Sequence, residues 1–137
     1  MAQVIDASVA VAWCATTQAS PLTDAAFELA AEQGGHVPAQ FWFEVLHGLA
    51  RLERNRVVEQ ATVDTFAEKL AALALRIDGA YSSTDMLRLH RSARRYGLNI
   101  YDAAYLELAL RLGLPLATRD ASLARAAKDA GVPLFSA

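Results

Sequence analysis

Short apolar runs alternate along this chain with longer segments whose apolar residues recur at a helical period. This alternation is typical of α/β proteins, because each parallel strand is joined to the next by a crossover that is usually a helix. We therefore expect a single α/β domain with a mainly parallel central sheet flanked by helices. Strands are predicted in the segments AQVI (2–5), HVP (36–38), LRID (75–78), LPLAT (114–118) and VPLF (132–135).

Helical patterns fill most of the remaining chain. They are predicted at 6–14, 21–35, 40–55, 61–74, 83–97, 99–109 and 120–131. The chain has 137 residues, of which 54% are hydrophobic, and this suits one buried core. No linker or internal repeat divides the sequence, so residues 1–137 are expected to form one domain.

Several features bear on location and on metal chemistry. The single cysteine, Cys14, excludes an internal disulfide and suits a reducing cytosol. The apolar N-terminal stretch lacks a basic leader and carries Asp6, so it is a poor signal peptide, and no long uncharged apolar segment predicts a membrane span. The absence of CxxC and HExxH motifs argues against zinc. We expect a cytoplasmic protein.

The segment NIYDAAYLELA places a carboxylate where a buried face is expected. Asp102 lies on the same helical stripe as Tyr105, Leu106 and Ala109. An unpaired charge on such a face is costly. Two explanations are open, because Asp is a favoured helix N-cap residue and is also a metal ligand.

Three further acids deserve comparison with Asp102. Asp6 and Asp120 each follow a predicted strand, and the carboxyl ends of parallel strands meet at the edge where α/β proteins bind ligands. Glu44 lies inside an apolar helical segment, where Gly48 one turn later would leave room beside the carboxylate. Each acid also has an ordinary explanation, as a helix cap or as part of a solvated face. Carboxylates crowded together favour a hard cation such as Mg²⁺ or Mn²⁺.

Two surface patterns could serve a partner. RLHRSARR puts Arg88, Arg91 and Arg94 or Arg95 on one basic stripe, which could lie in solvent or bind a phosphate backbone, although the net charge of the chain is −2. QFWFEV sets three consecutive aromatic residues about 100° apart around a helix. They cannot all face one core unless the helix is sandwiched between two apolar layers, so they are interface candidates: Phe41, Trp42 and Phe43.

Four segments together resemble the PIN domain, and more narrowly the VapC-type toxins of prokaryotic toxin–antitoxin pairs. They are VIDASVAVAW, FWFEVLHGL, YDAAYLELALRLGLPLATRD and ASLARAAKDAGVP. They occur in the family's order and cover essentially the whole chain. Many members carry an acidic pair after the Trp-containing segment, where this chain reads WCATTQAS. We expect that departure to affect RNA or partner contacts rather than chemistry.

The resemblance implies an endoribonuclease whose four acidic positions bind one or two Mg²⁺ or Mn²⁺ ions. Ser8 in DAS and Thr118 in TRD match polar positions that would orient these ligands. The resemblance also implies an RNA substrate, a homodimer and a cognate antitoxin protein that obstructs the pocket. Carried over by motif, the four acidic positions are Asp6, Glu44, Asp102 and Asp120. Separately, the position of Arg119 beside the site and the basic stripe make these residues candidates for RNA backbone contacts: Arg119, Arg88, Arg91 and Arg95.

Other magnesium-dependent classes fit less well. A receiver-type phosphoacceptor domain requires an acidic pair after the first strand and a late lysine at a strand end, whereas Asp6 is single and Lys128 lies within a predicted helix. A haloacid-dehalogenase-like phosphatase requires an aspartate two residues after Asp6, where this chain has Ser8. One alternative stays open, a PIN-like module that binds RNA or protein without cleaving.

Overall fold

Helices and strands alternate through the chain as the sequence predicts. The computed structural model describes residues 2–79 and 81–137. Within them the elements are β1 (Val4–Ile5), α1 (Ala7–Cys14), a 3-10 turn (Thr16–Gln18), α2 (Pro21–Gln33), β2 (Gly35–Val37), α3 (Phe41–Arg54), α4 (Gln60–Ala72), β3 (Leu75–Ile77), α5 (Ser83–Tyr96), α6 (Ile100–Leu112), β4 (Leu116–Ala117) and α7 (Ala121–Asp129). None of the helices in these ranges is both long and apolar enough to cross a membrane.

The sheet has the order β3-β2-β1-β4, and every pairing is parallel. Val4 at its centre lies opposite His36 on one side and Leu116 on the other. The chain adds β2 and β3 to one side of β1 and later adds β4 to the opposite side. This reversal of strand order creates a crevice beyond the carboxyl ends of β1 and β4, which is the usual ligand position in open α/β sheets.

The predicted last strand is reduced to a single bridge. Leu134 pairs with Leu116 in parallel, and the Phe135 amide donates to the Leu116 carbonyl at 2.9 Å. Pro133 has no amide hydrogen and so cannot donate to a longer ladder. The segment 132–135 therefore closes the sheet edge without forming a full strand.

The core surrounds β1 and α6. Val4 and Ile5 are fully buried. On α6 the predicted stripe of Tyr105, Leu106 and Ala109 is buried, and so are Ala103, Ala104 and Leu108. A helix that is apolar on several sides is a core helix rather than a surface helix. Asp102 thus lies in the first turn of a helix whose middle, between Ala103 and Ala109, is largely buried.

Gly48 allows α1 and α3 to approach closely. A Cβ atom on this residue would lie 2.7 Å from Cγ2 of Val11. The glycine therefore permits the contact between the two helices. Gly48 also lines a cavity that opens beside Glu44, so the prediction of space next to this carboxylate is compatible with the contact to Val11.

We expect Gly48→Ala to lower the free energy of unfolding by about 1 kcal/mol, because overpacking costs ~1–3 kcal/mol and the better helix propensity of Ala returns ~0.5–1 kcal/mol. Urea denaturation measures the change. In a Val11→Ala background the clash is absent, and there Gly48→Ala should be neutral or stabilising. Equal losses in both backgrounds would contradict the packing explanation.

Candidate active site

Asp6 lies directly after β1, at the crevice beside β4. Its side chain is only 4% exposed, and its Oδ2 accepts hydrogen bonds from Ser8 Oγ at 2.6 Å and Thr118 Oγ1 at 2.7 Å. Asp6 occupies the N-cap position of α1, yet its side chain forms no capping hydrogen bond. Capping therefore does not explain this buried acid.

Ser8 and Thr118 fix the orientation of the Asp6 carboxylate. The Arg119 amide donates to Ser8 Oγ at 3.1 Å, and the Asp120 amide donates to Thr118 Oγ1 at 3.0 Å. Each hydroxyl thus accepts from a backbone amide while it donates to Asp6. The two predicted polar residues contact the acid and tie the start of α1 to the loop after β4.

Asp102 is not the N-cap of α6. That role belongs to Asn99, whose Oδ1 accepts from the Asp102 amide at 2.8 Å, while Asn99 Nδ2 donates to Asp102 Oδ2 at 3.3 Å. Burial raises the pKa of Asp102 to about 6, and the negative charges of Asp6 and Asp120 also raise it. The capping explanation is therefore wrong for Asp102, because a neighbouring residue already performs the function.

Asp120 does cap a helix. Its Oδ1 accepts from the amides of Ser122 at 2.8 Å and Leu123 at 3.1 Å at the start of α7. Both bonds use the same oxygen, so capping and a second function for Oδ2 are compatible. Helix capping is therefore confirmed for Asp120 and does not exclude metal binding by the same side chain.

Glu44 lies in the first turn of α3 and is partly buried. Burial raises its pKa from the ordinary 4.5 to about 7, with further contributions from the charges of Asp6 and Asp102. Its buried Oε1 and the buried Tyr105 hydroxyl form no hydrogen bond of good geometry among the described residues, although Gln40 and Tyr105 lie close enough to oppose part of the rise in the pKa of Glu44. Glu44 is therefore partly withdrawn from solvent, at the edge of the cavity that it lines.

The four acids affect one another electrostatically. The negative charge of Asp120 raises the pKa of Asp6. The charges of Asp6 and Asp102 raise the pKa of Glu44, and those of Asp6 and Asp120 raise the pKa of Asp102. Within residues 2–79 and 81–137, no three His, Cys, Asp or Glu side chains already form a metal-ligand arrangement. The donor set is nevertheless all carboxylate oxygen, and a buried Glu44 oxygen forms no hydrogen bond of good geometry among the same residues. These features fit a hard divalent cation such as Mg²⁺ or Mn²⁺.

A cavity of about 310 Å³ opens beside Ser8 and Glu44. His47 and Arg51 of α3 line it together with Arg119. Neither His47 nor Arg51 is among the site residues predicted from the sequence. Their spacing could have identified them, since positions three and seven residues after Glu44 lie on the same helix face as this acid.

The arginine stripe of α5 lies in a different environment. Arg88 lines a larger cavity of about 540 Å³ with Asp78, Glu107 and Arg111 and without the four clustered acids. Arg91 is exposed, and the Arg95 guanidinium lies 5.4 Å from the centre of the Tyr96 ring.

The three consecutive aromatic residues have three different environments. Phe41 is fully buried, so it is a core side chain and was wrongly included among the interface candidates. Trp42 packs partly buried against the core, with its ring 6.2 Å from that of Phe41. Phe43 is 81% exposed. The 100° step between neighbours separates them, as the helical pattern requires.

The fold and the crevice define a parallel α/β domain with four acids near the reversal of strand order. The PIN domain family matches residues 4–129. The chain belongs to the PIN domain family, which confirms the resemblance seen in its sequence.

Individual relatives agree with this assignment. Over 123 residues the chain is 37% identical to ribonuclease VapC3 of Mycobacterium tuberculosis, in each of two strains, covering 90% of this chain and 85% of the relative. The crystal structure of PAE2754 from Pyrobaculum aerophilum superimposes with a TM-score of 0.70 at 20% identity, covering 92% of this chain and 84% of the other. The latter similarity establishes the fold.

Proposed function

We propose that this protein is a Mg²⁺- or Mn²⁺-dependent endoribonuclease and the toxin of a toxin–antitoxin pair. The observation that carries the proposal is the cluster of acids at the crevice, in which burial raises the pKa of Asp6, Glu44 and Asp102. Like charges brought together in this way destabilise the fold unless a cation neutralises them. The similarity to a relative named a ribonuclease supports RNA as the substrate.

In this proposal the four acids hold the ion. Asp6, Glu44, Asp102 and Asp120 supply the oxygen ligands, and Ser8 and Thr118 keep the Asp6 carboxylate in one orientation through their hydrogen bonds. A bound Mg²⁺ or Mn²⁺ would supply Lewis acidity at the phosphodiester.

RNA binding in this proposal depends on arginine side chains outside the acidic cluster. Arg119 lies next to the cluster. Further candidates for contacts with the RNA backbone lie on α5: Arg88, Arg91 and Arg95. Such contacts would position the backbone without reading bases.

Cleavage of a total RNA pool tests the function. The wild type should degrade RNA in Mg²⁺ or Mn²⁺ and not in EDTA, whereas Asp6→Asn should be inactive in both. Binding of RNA by the wild type without any cleavage would instead support the alternative, a PIN-like module that does not cut.

We also propose a homodimer and a cognate antitoxin partner. Phe43 of α3 is 81% exposed, so its aromatic ring can contact another chain. Exposed aromatic side chains are favoured interface anchors. Light scattering at micromolar concentration should therefore give a dimer, and Phe43→Ser should weaken it by about tenfold or more. A monomeric wild type that co-purifies with no small partner protein would contradict this proposal.

A further inference from the structure

We infer that single-stranded RNA runs along α3, with its phosphates bound in the cavity lined by His47, Arg51 and Arg119, here called the α3 groove. This inference rests on the proposed function and extends it, because it specifies the path of the substrate. It assigns RNA binding to the basic residues of the α3 groove and not to those of the α5 stripe, which are Arg88, Arg91 and Arg95.

The α3 groove is continuous with the acidic cluster. Glu44 and Ser8 line the same cavity as Arg51, and Ser8 Oγ donates to Asp6. Glu44 and Arg51 are seven residues apart on one helix face, a rise of about 10 Å along the axis. A strand whose reacting phosphate lies at the acids therefore has a neighbouring part of its backbone within reach of Arg51.

Two arginines of the groove, Arg51 and Arg119, form no ion pair within the described parts of the chain. Arg119 Nη1 donates to Gln18 Oε1 at 3.0 Å, so a neutral side chain positions the guanidinium and leaves its charge for an anion. A guanidinium has five donors and is well suited to phosphate.

Arg88, the residue of the α5 stripe that lines a cavity, is less suited to phosphate. Arg88 approaches Asp85 to 4.0 Å, and its cavity also contains Asp78 and Glu107. Arg111 in that cavity is bound to both of these acids, at 2.6 Å and 2.7 Å. A phosphate there would face three carboxylates, whereas Glu44 is the acid that lines the α3 groove.

The dimensions of the α3 groove favour a single strand. Gly48 and Val11 line it where α1 and α3 approach closely. Its volume of about 310 Å³ is at the lower end of the ~300–1,000 Å³ range of ligand cavities. It thus has room for a segment of one strand.

Fluorescence anisotropy with a labelled single-stranded RNA in EDTA tests the path without cleavage. Arg51→Ala should raise the Kd about tenfold, as expected for loss of a charge-assisted phosphate contact. It should also reduce the slope of log K against log salt by about 0.7, the value for one phosphate on a single strand. Arg54→Ala is the matched control, because both arginines lie in the last turn of α3 and only Arg51 lines the groove.

Steady-state cleavage in Mg²⁺ provides the second measurement. Arg51→Ala should raise KM with little change in kcat, since the contact is made equally before and during reaction. If the wild type cleaves RNA and Arg51→Ala resembles Arg54→Ala in Kd and salt slope, the inference is overturned while the proposed function stands. A loss confined to Arg88→Ala or Arg91→Ala would overturn it in favour of the α5 stripe. A wild type that neither binds nor cleaves RNA overturns both.

Discussion

Asp102→Asn is expected to preserve the fold and to lower the rate of RNA cleavage by roughly a thousandfold, because groups that act as one unit show large, non-additive losses. The substitution keeps the shape and removes the charge. The N-cap of α6 is unaffected, since Asn99 provides it. Thermal unfolding and cleavage of a labelled RNA measure the two effects separately.

Asn99→Ala is the matched control for this experiment. It should lower the free energy of unfolding by about 1 kcal/mol through loss of the cap. It leaves the Asp102 carboxylate in place, although it removes the 3.3 Å hydrogen bond to Oδ2. Cleavage should therefore fall far less than in Asp102→Asn. Full activity of Asp102→Asn at low millimolar Mg²⁺ would remove this residue from the proposed site.

The metal-free protein is expected to become less stable as the pH rises from about 5 to about 7.5. The pKa of Glu44 is raised from 4.5 to about 7 and that of Asp102 from 3.8 to about 6. Between these limits the folded state binds more protons than the unfolded state, so stability falls with rising pH. For Glu44 this pKa difference corresponds to roughly 3 kcal/mol, which solvent screening of the partly exposed side chain reduces to about 2 kcal/mol.

Urea denaturation in EDTA at both pH values measures this dependence. Glu44→Gln should flatten it and raise the stability near neutral pH. Adding Mn²⁺ to the wild type at about one hundred times its Kd should add ~2.7 kcal/mol, because the ion binds only the folded state. Unchanged stability across a wide Mn²⁺ titration would count against a metal site.

The sequence predicted the fold well because its main signals are local. Apolar strands and helical periods are set by neighbouring residues, and a parallel sheet follows from their alternation. The last strand was overestimated, since its apolar pattern does not reveal how much of it pairs. The burial of Phe41 and the exposure of Phe43 depend on helix orientation in the assembled core, which a single segment does not determine.

The candidate site was only partly predictable. Position after a strand brings Asp6 and Asp120 to one edge, and the family motif adds Glu44 and Asp102. The capping explanations could not be resolved from sequence, because Asn99, Asp102 and Asp120 are all good N-cap residues. Structure assigns the cap of α6 to Asn99 and that of α7 to Asp120. The proximity of Arg51 to the acids depends on how α3 faces the loop after β4, and local spacing does not reveal that.

The hydrogen bond from Thr118 to Asp6 joins residues 112 positions apart, and β1 pairs with β4 over a similar separation. During synthesis β1 emerges 112 residues before its neighbour β4, so β1 lacks one of its two pairing strands for that interval. Long-range pairing of this kind is slow to form. A nascent chain therefore lacks the Thr118 donor that orients Asp6 until the loop after β4 has emerged. Any fragment that ends before this loop has the Asp6 carboxylate without one of its two hydroxyl donors.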